Sequence, residues 1–192
     1  MPRWDARAEE RLRNAALDLF LESGYENVVV QDVTERAGLT RRTFSRYFTD
    51  KRDVLFAGSE QLPAALGDAI MHADPALPLF DALLVALAAT GEQVVAVASR
   101  AAERRSVISG SPELQERERT KFAAVADAVE RALQRRGADA PTANLFARVG
   151  VDLFQSAFQR CTDQPALGFS LCLHEAAAAL AAALAPARTQ WT

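Results

Sequence analysis

From Ala37 to Lys51 the chain strings together a glycine stop, a hydroxyl residue able to cap a helix, three arginines and two phenylalanines. Few folds accommodate that order. Wound at ~100° per residue from Thr40 as N-cap, Arg41, Arg42, Ser45 and Arg46 share one broad face. Phe44 and Phe48 stack one turn apart behind it, toward a core. A short helix with basic groups on its free side and aromatic rings at its root suits a groove lined with acceptors and phosphates. A solvated basic helix is the other reading of the same residues.

The upstream chain narrows the choice. Leu12, Ala16, Leu19 and Phe20 fall at i, i+4, i+7 and i+8, which predicts a first helix over about Asp5 to Ser23, stopped at Ser23-Gly24. Val30, Val33 and Ala37 repeat at i, i+3 and i+7, and Gly38 punctuates a turn before a third helix at Arg41. The run Val28-Val29-Val30 is β-branched and strand-prone. No hairpin turn flanks it and the helical period continues beyond it, so a second short helix is expected instead.

The span from about Arg7 to Leu55 resembles the DNA-binding domain of the TetR family of bacterial transcriptional regulators. Gly24-Tyr25, Val30-Gln31-Asp32-Val33, Ala37-Gly38-Leu39-Thr40, Thr43-Phe44, Tyr47-Phe48 and Lys51 carry the resemblance, in order and without a gap. It implies a DNA-contacting set of Gln31, Thr40, Arg41, Arg42, Thr43, Ser45, Arg46, Tyr47 and Lys51. Within it, Gln31, Arg41, Arg42 and Ser45 would read base edges, and Thr43, Arg46, Tyr47 and Lys51 would hold phosphates. Arginine paired with guanine is the commonest specific contact, which agrees with this division. Two positions depart from the family's habit. Val29 stands where a threonine usually caps the second helix and touches a phosphate, and Ser45 stands where an aromatic is usual.

A net charge of −3 counts against nucleic-acid binding only if charge is spread evenly. Residues 1–55 hold ten basic and ten acidic side chains, the remainder twelve and fifteen. Yet Arg41, Arg42, Arg46 and Lys51 lie within eleven positions, opposed there only by Asp50. Of the 22 basic residues only Lys51 and Lys121 are lysines, a bias expected from a high-GC genome.

Beyond Leu55 the chain reads as helix, with breaks near Asp74-Pro75, Pro78, Ser109 to Pro112, Gly137 to Pro141 and Asp163 to Pro165. Expected helices run from Lys51 to about Met71, twice between Leu79 and Ile108 with a division near Ala98 to Arg100, from Pro112 to about Arg136, Thr142 to Cys161, and Ala166 to Leu184. The expectation is an all-α chain of about nine helices. Residues 1–52 would form a three-helix helix-turn-helix DNA-binding domain, and 53–192 a larger helical domain for effector binding and dimerisation. The fourth helix, attached through Val54, Leu55 and Leu62, would be the lever between them.

The resemblance further implies a homodimer on a double-stranded palindromic operator, formed through the last two helices. Leu145, Val149, Leu153, Gln155-Ser156 and the alanines from Ala176 to Ala183 would permit that packing; the other reading is packing within one subunit. It also implies a small-molecule effector, apolar or amphipathic, with Phe80, Leu84, Arg104, Phe122, Phe154 and Phe158 as candidate contacts. Arg100, Arg104, Arg105 and Arg160 are the candidate polar anchors of such a site; a solvated helix face is the alternative for each of them, and core filling for each phenylalanine. Ser111-Pro112-Glu113-Leu114-Gln115-Glu116-Arg117 is similar to a stretch in the C-terminal domain of mycofactocin-type TetR regulators, which would fit an acyl or acyl-CoA-like effector.

Hydrophobic residues make up 49% of the 192 positions, enough for a sizeable core. The alanine-rich run near 176–187 is too short and weakly apolar to span a bilayer, and the charged N-terminus lacks a signal peptide's apolar stretch. A cytoplasmic protein with no membrane partner is the expectation. His72 and His174 lie far apart, and no zinc-protease, Cys-x-x-Cys, phosphate-loop or nucleophile-elbow motif occurs. No catalytic residue, metal site or cofactor is therefore expected, and Cys161 and Cys172 read as small buried side chains.

Overall fold

The computed structural model describes residues 6–184. Among them every regular element is a helix. In chain order these are α1 (Ala6–Ser23), a 3-10 turn (Tyr25–Asn27), α2 (Val30–Ala37), α3 (Arg41–Tyr47), α4 (Asp53–Phe56), a 3-10 turn (Ser59–Gln61), α5 (Leu62–His72), α6 (Leu79–Val97), α7 (Ala101–Ser109), α8 (Pro112–Arg135), α9 (Ala140–Asp163) and α10 (Phe169–Leu184). The all-α expectation holds. Asp5, the expected first residue of helix one, lies outside the described residues. The valine run forms no strand: Val28 and Val29 are extended and α2 starts at Val30.

The chain divides into two compact units, Met1–Glu60 with Arg100–Arg119, and Gln61–Ser99 with Thr120–Thr192. The first unit is built on Leu12, Ala16 and Phe20 of α1, joined by Tyr25, Val28, Val33, Phe44 and Phe48 in one buried cluster. Val54, Leu55 and Phe56 of α4 enter the same cluster, as do Val107 and Ile108 of α7 and Leu114 of α8. This unit therefore runs past residue 52 and takes back a second stretch of chain. Arg100 seals that return, pairing with Asp18 of α1 at 2.7 Å.

The expected helix from Lys51 to Met71 is three pieces. Ala57 is extended (φ −55, ψ 134), Gly58 takes a left-handed φ of 81°, and the Ser59 hydroxyl donates to Phe56 O at 2.6 Å. The glycine permits a backbone turn that Cβ-bearing residues resist, and Pro63 in the first turn of α5 restarts the helix. That division raises the count from about nine helices to ten.

The second unit packs α5, α6, α9, α10 and the later turns of α8 around Leu66, Ile70, Leu83, Leu87, Val129, Leu133, Phe154, Phe169 and Leu173. Small residues set the helix spacing. A Cβ on Gly91 of α6 would lie 2.0 Å from the Phe169 ring, and one on Gly150 of α9 would lie 2.9 Å from Leu83. Arg136 closes α5, its guanidinium donating to Ile70 O at 3.0 Å, Ala73 O at 2.8 Å and Asp74 O at 2.8 Å. Glu92 of α6 caps α10, accepting from the Ser170 amide at 2.9 Å and hydroxyl at 2.8 Å, and those donors hold its carboxyl below the usual range. Cys161 and Cys172 are buried free thiols in this core. Burial pushes the Cys161 thiol up, and its Sγ donates to Leu167 O at 3.2 Å.

Among the described residues α6, rather than the alanine-rich run, is long and apolar enough to cross a membrane by length and composition. One of its faces, Ala82, Leu83, Ala86, Leu87, Thr90 and Gly91, is buried in the second unit.

Gly91→Ala tests the close approach of α6 and α10. A helical alanine gains at most ~1 kcal/mol over glycine, whereas overpacking against a fully buried phenyl ring costs about 1–3 kcal/mol. A lower urea midpoint for the second unit is expected; an unchanged or higher one would show that Phe169 gives way freely.

Candidate nucleic-acid interface

The turn between α2 and α3 is closed from both sides. Gly38 adopts the left-handed conformation (φ 62, ψ 39), its N–H reaching Glu35 O at 3.0 Å while Leu39 N reaches Thr34 O at 2.9 Å. Arg11 of α1 donates to Ala37 O. Thr40 then starts α3 as expected, its Oγ1 accepting from Thr43 N at 3.1 Å. Phe44 and Phe48 are buried with ring centroids 5.4 Å apart, so the opposite face of α3 is the one left to solvent.

On that face Arg41, Arg42 and Ser45 are exposed and have no hydrogen-bond or ion-pair partner among the described residues. Arg46 is exposed but engaged: it donates to the Tyr47 hydroxyl at 2.8 Å and lies 4.9 Å from that ring's centroid. Thr40 and Thr43 hydroxyls sit 3.0 Å apart, so Thr43 shares its oxygen with the cap. On α2, Gln31 is exposed and its amide donates to Glu35 at 2.8 Å. Val29, the N-cap of α2, is 56% exposed and offers no side-chain acceptor. Asp32 supplies half a capping box instead, accepting from Val29 N at 2.8 Å. Lys51 is placed differently from the other eight residues: its ammonium points inward, to Tyr25 O at 2.7 Å and Val28 O at 2.9 Å.

A set of polar links that spacing does not announce holds this region to the start of α8. Arg52 pairs with Asp50 at 2.5 Å and with Glu113 at 2.9 Å. Ser111 donates to Glu26 at 3.1 Å, and Arg117 lies 3.8 Å from Asp53. Apart from the local Arg52–Asp50 pair, the partners stand 61 to 85 positions apart, so no local pattern pointed to them. The stretch from Ser111 to Arg117 thus belongs to the first unit, where it binds residues beside the helix-turn-helix.

The candidate effector contacts separate in the same way. Phe80, Leu84, Phe122 and Phe158 are partly buried against the second unit's core, Phe80 meeting Phe146 edge-on at 5.0 Å. Phe154 lies deeper, its ring tilted against that of Phe169 with centroids 5.1 Å apart. Arg104 is not with them. It sits in the first unit, donating to Leu55 O at 3.1 Å, and burial lowers its pKa from the ordinary arginine value. Arg160 pairs with Glu175 at 2.7 Å, tying α9 to α10. On those two helices Leu145, Ser156, Leu171, Ala178, Ala179 and Ala181 to Ala183 face solvent, while Leu153 is buried and Val149, Gln155, Ala176 and Ala177 are partly so.

Comparison with known proteins meets the geometry. Residues 12–57, from α1 through α4, match the model for bacterial regulatory proteins of the tetR family. A Mycobacterium tuberculosis (strain ATCC 25618 / H37Rv) protein named as the mycofactocin biosynthesis transcriptional regulator MftR is 30% identical over 125 residues, 65% of this chain and 63% of that protein. SmeT, the repressor of the Stenotrophomonas maltophilia multidrug efflux pump SmeDEF, superposes with a TM-score of 0.53 at 22% identity, over 89% of both chains. SmeT complexed with triclosan gives 0.61 at 19% identity, over 90% of both chains. A TetR/AcrR-type transcriptional regulator from Aquifex aeolicus VF5 gives 0.57 at 14% identity, over 90% of this chain and 97% of its own. Residues 12–57 thus match the tetR-family DNA-binding region, and the chain spans less than two thirds of the length of the Mycobacterium tuberculosis regulator that it resembles.

Proposed function

We propose that the chain is a repressor that binds a palindromic operator as a dimer and is released by a small-molecule effector. The observation that carries this reading is the pair of exposed, unpartnered guanidinium groups of Arg41 and Arg42 on a seven-residue helix rooted by Phe44 and Phe48. Both are free to pair bidentately with guanine O6 and N7, and Gln31 and Ser45 add polar groups at the same surface. Thr40, Thr43, Arg46 and Tyr47 supply hydroxyl and guanidinium donors for phosphates, which position without reading.

In the dimer two α3 helices would lie about 34–36 Å apart, one turn of B-DNA. The solvent-facing small and apolar residues of α9 and α10 support dimerisation there, because alanines let a partner helix approach closely. Phe80, Leu84, Phe122 and Phe158 support an apolar or amphipathic effector in the second unit. To move a shape equilibrium from 1:99 to 99:1 the effector must favour the released shape by about 5.5 kcal/mol, so it must act on an element that continues into the head. The broken fourth helix is a poor lever. α8 is unbroken, carrying Glu113 and Arg117 in the first unit and Val125, Val129 and Leu133 in the second.

Three measurements test this reading. Binding to a duplex from the chain's own upstream region should be sequence-selective, and Arg41→Ala with Arg42→Ala should reduce specific over non-specific affinity by ~100-fold or more while helicity is kept. Specific binding that survives the double change would mean that other residues read the operator. Val29→Thr restores the missing cap, and should raise stability by ~1 kcal/mol and strengthen binding to all sequences alike; equal affinity would place Val29 off the phosphate path. Ala178→Glu with Ala182→Glu should yield monomers by sedimentation; a retained dimer mass would put the interface elsewhere.

A further inference from the structure

We infer that Lys51 is a positioning residue for the reading head, not a phosphate contact, and that its site requires an ammonium group. The inference rests on the reading of Gln31 as a base contact. Lys51 Nζ donates to Tyr25 O at 2.7 Å, Val28 O at 2.9 Å and Glu26 O at 3.4 Å, and lies 4.2 Å from the centroid of the Tyr25 ring. An ammonium has three N–H donors and no others. All three go to carbonyls in and just after the 3-10 turn Tyr25–Asn27, the end of a helical segment where carbonyl dipoles attract cations. Nothing is left to give a phosphate.

What the cage holds is a single peptide plane. The Val28 carbonyl accepts from Lys51, and the amide on the other edge of that plane, Val29 N–H, donates to Asp32 at 2.8 Å. The peptide unit is rigid, so fixing both edges fixes the direction in which α2 departs from Val29. Val28's side chain is buried beneath, 2% exposed, and anchors the same unit from a third side. Gln31 follows two residues later. Lys51, 20 positions away in sequence, therefore sets where Gln31 stands.

The chemistry also accounts for the lysine itself. Twenty of the chain's 22 basic residues are arginine, yet position 51 keeps lysine. A phosphate accepts arginine at least as well, through two parallel bonds. Three carbonyls converging on one point do not: the guanidinium is a planar fork with diverging donors, whereas the ammonium is compact and its three donors rotate together.

The test compares Lys51→Met and Lys51→Arg, each with and without Gln31→Ala, on one duplex from the upstream region over a range of salt. Folding of each variant is checked by circular dichroism. Both Lys51 variants should lose affinity on the order of tenfold, with the slope of log affinity against log salt unchanged. The base preference that Gln31→Ala removes from the parent protein should already be absent in Lys51→Met. A slope reduced by about 1 in Lys51→Met and restored in Lys51→Arg would make Lys51 a phosphate contact and overturn the inference. So would parental affinity in either variant. Should Lys51→Met fail to fold, the Lys51→Arg slope and affinity decide alone. Should Gln31→Ala leave base preference untouched in the parent protein, the assignment of Gln31 fails by itself, and the slope and arginine arms still judge Lys51.

Discussion

A seven-residue helix cannot hold itself: isolated helices below about 12–15 residues are marginal in water even with ideal sequences. α3 has seven residues, among them Thr43, Ser45 and three arginines, and so exists only because Phe44 is inserted into the first unit's core. The rest of that unit follows from this requirement. α1 supplies the wall that Phe44 meets, Thr40 and Gly38 settle the backbone at its start, and Phe48 ends it with the chain extended (φ −134, ψ 138). α7 and the start of α8 return to close the cluster with Val107, Ile108 and Leu114. The result is a rigid root behind an unencumbered basic face.

Local periodicity made the head legible. α1, α2 and α3 follow from stripes of apolar residues and from two punctuation residues, Gly24 and Gly38, that both take positive φ. The split between α6 and α7 was equally visible, near Ala98 to Arg100. Two things were not. The break at Gly58 lay inside an apparently continuous helical pattern, because one glycine is weak punctuation unless Ala57 also leaves the helix. The return of residues 100–119 to the head rests on contacts such as Arg104 with Leu55 and Arg52 with Glu113, which no sequence period encodes. Arg104 shows the consequence. As a cation amid apolar helices it looked like a ligand anchor, yet its charge completes the C-terminal end of α4, where unpaired carbonyls favour it.

The second unit obeys a different constraint, the spacing of long helices. Ala82, Ala86 and Gly91 on α6 and Ala143, Ala147, Gly150 and Ala157 on α9 are buried where neighbours come close. Large side chains then interdigitate from the other partner, Leu83 over Gly150 and Phe169 over Gly91. Composition hinted at this through its alanine content, but which alanines face inward depends on the register between helices. Those of α10 divide accordingly, Ala176 and Ala177 against the core and Ala178 to Ala183, apart from Leu180, toward solvent.

Charge in the head resolves by the same bookkeeping of partners. Ten acidic and ten basic residues over positions 1–55 give no net field. Seven of the acids, however, are engaged within the unit: Asp18 with Arg100, Glu22 with Arg36 at 2.7 Å, Glu26 with Ser111, Asp32 with the Val29 amide, Glu35 with Gln31, Asp50 with Arg52, and Asp53 with the Thr49 amide at 3.0 Å. Several of these consume a cation as well, removing Arg36, Arg52 and Arg100 from the exterior balance. Arg41 and Arg42 have no such partner, so the unit is neutral by count and positive where α3 meets solvent. Fields fall off over roughly 8–10 Å at physiological salt, so a phosphate approaching α3 meets those two guanidiniums rather than the chain's total of −3.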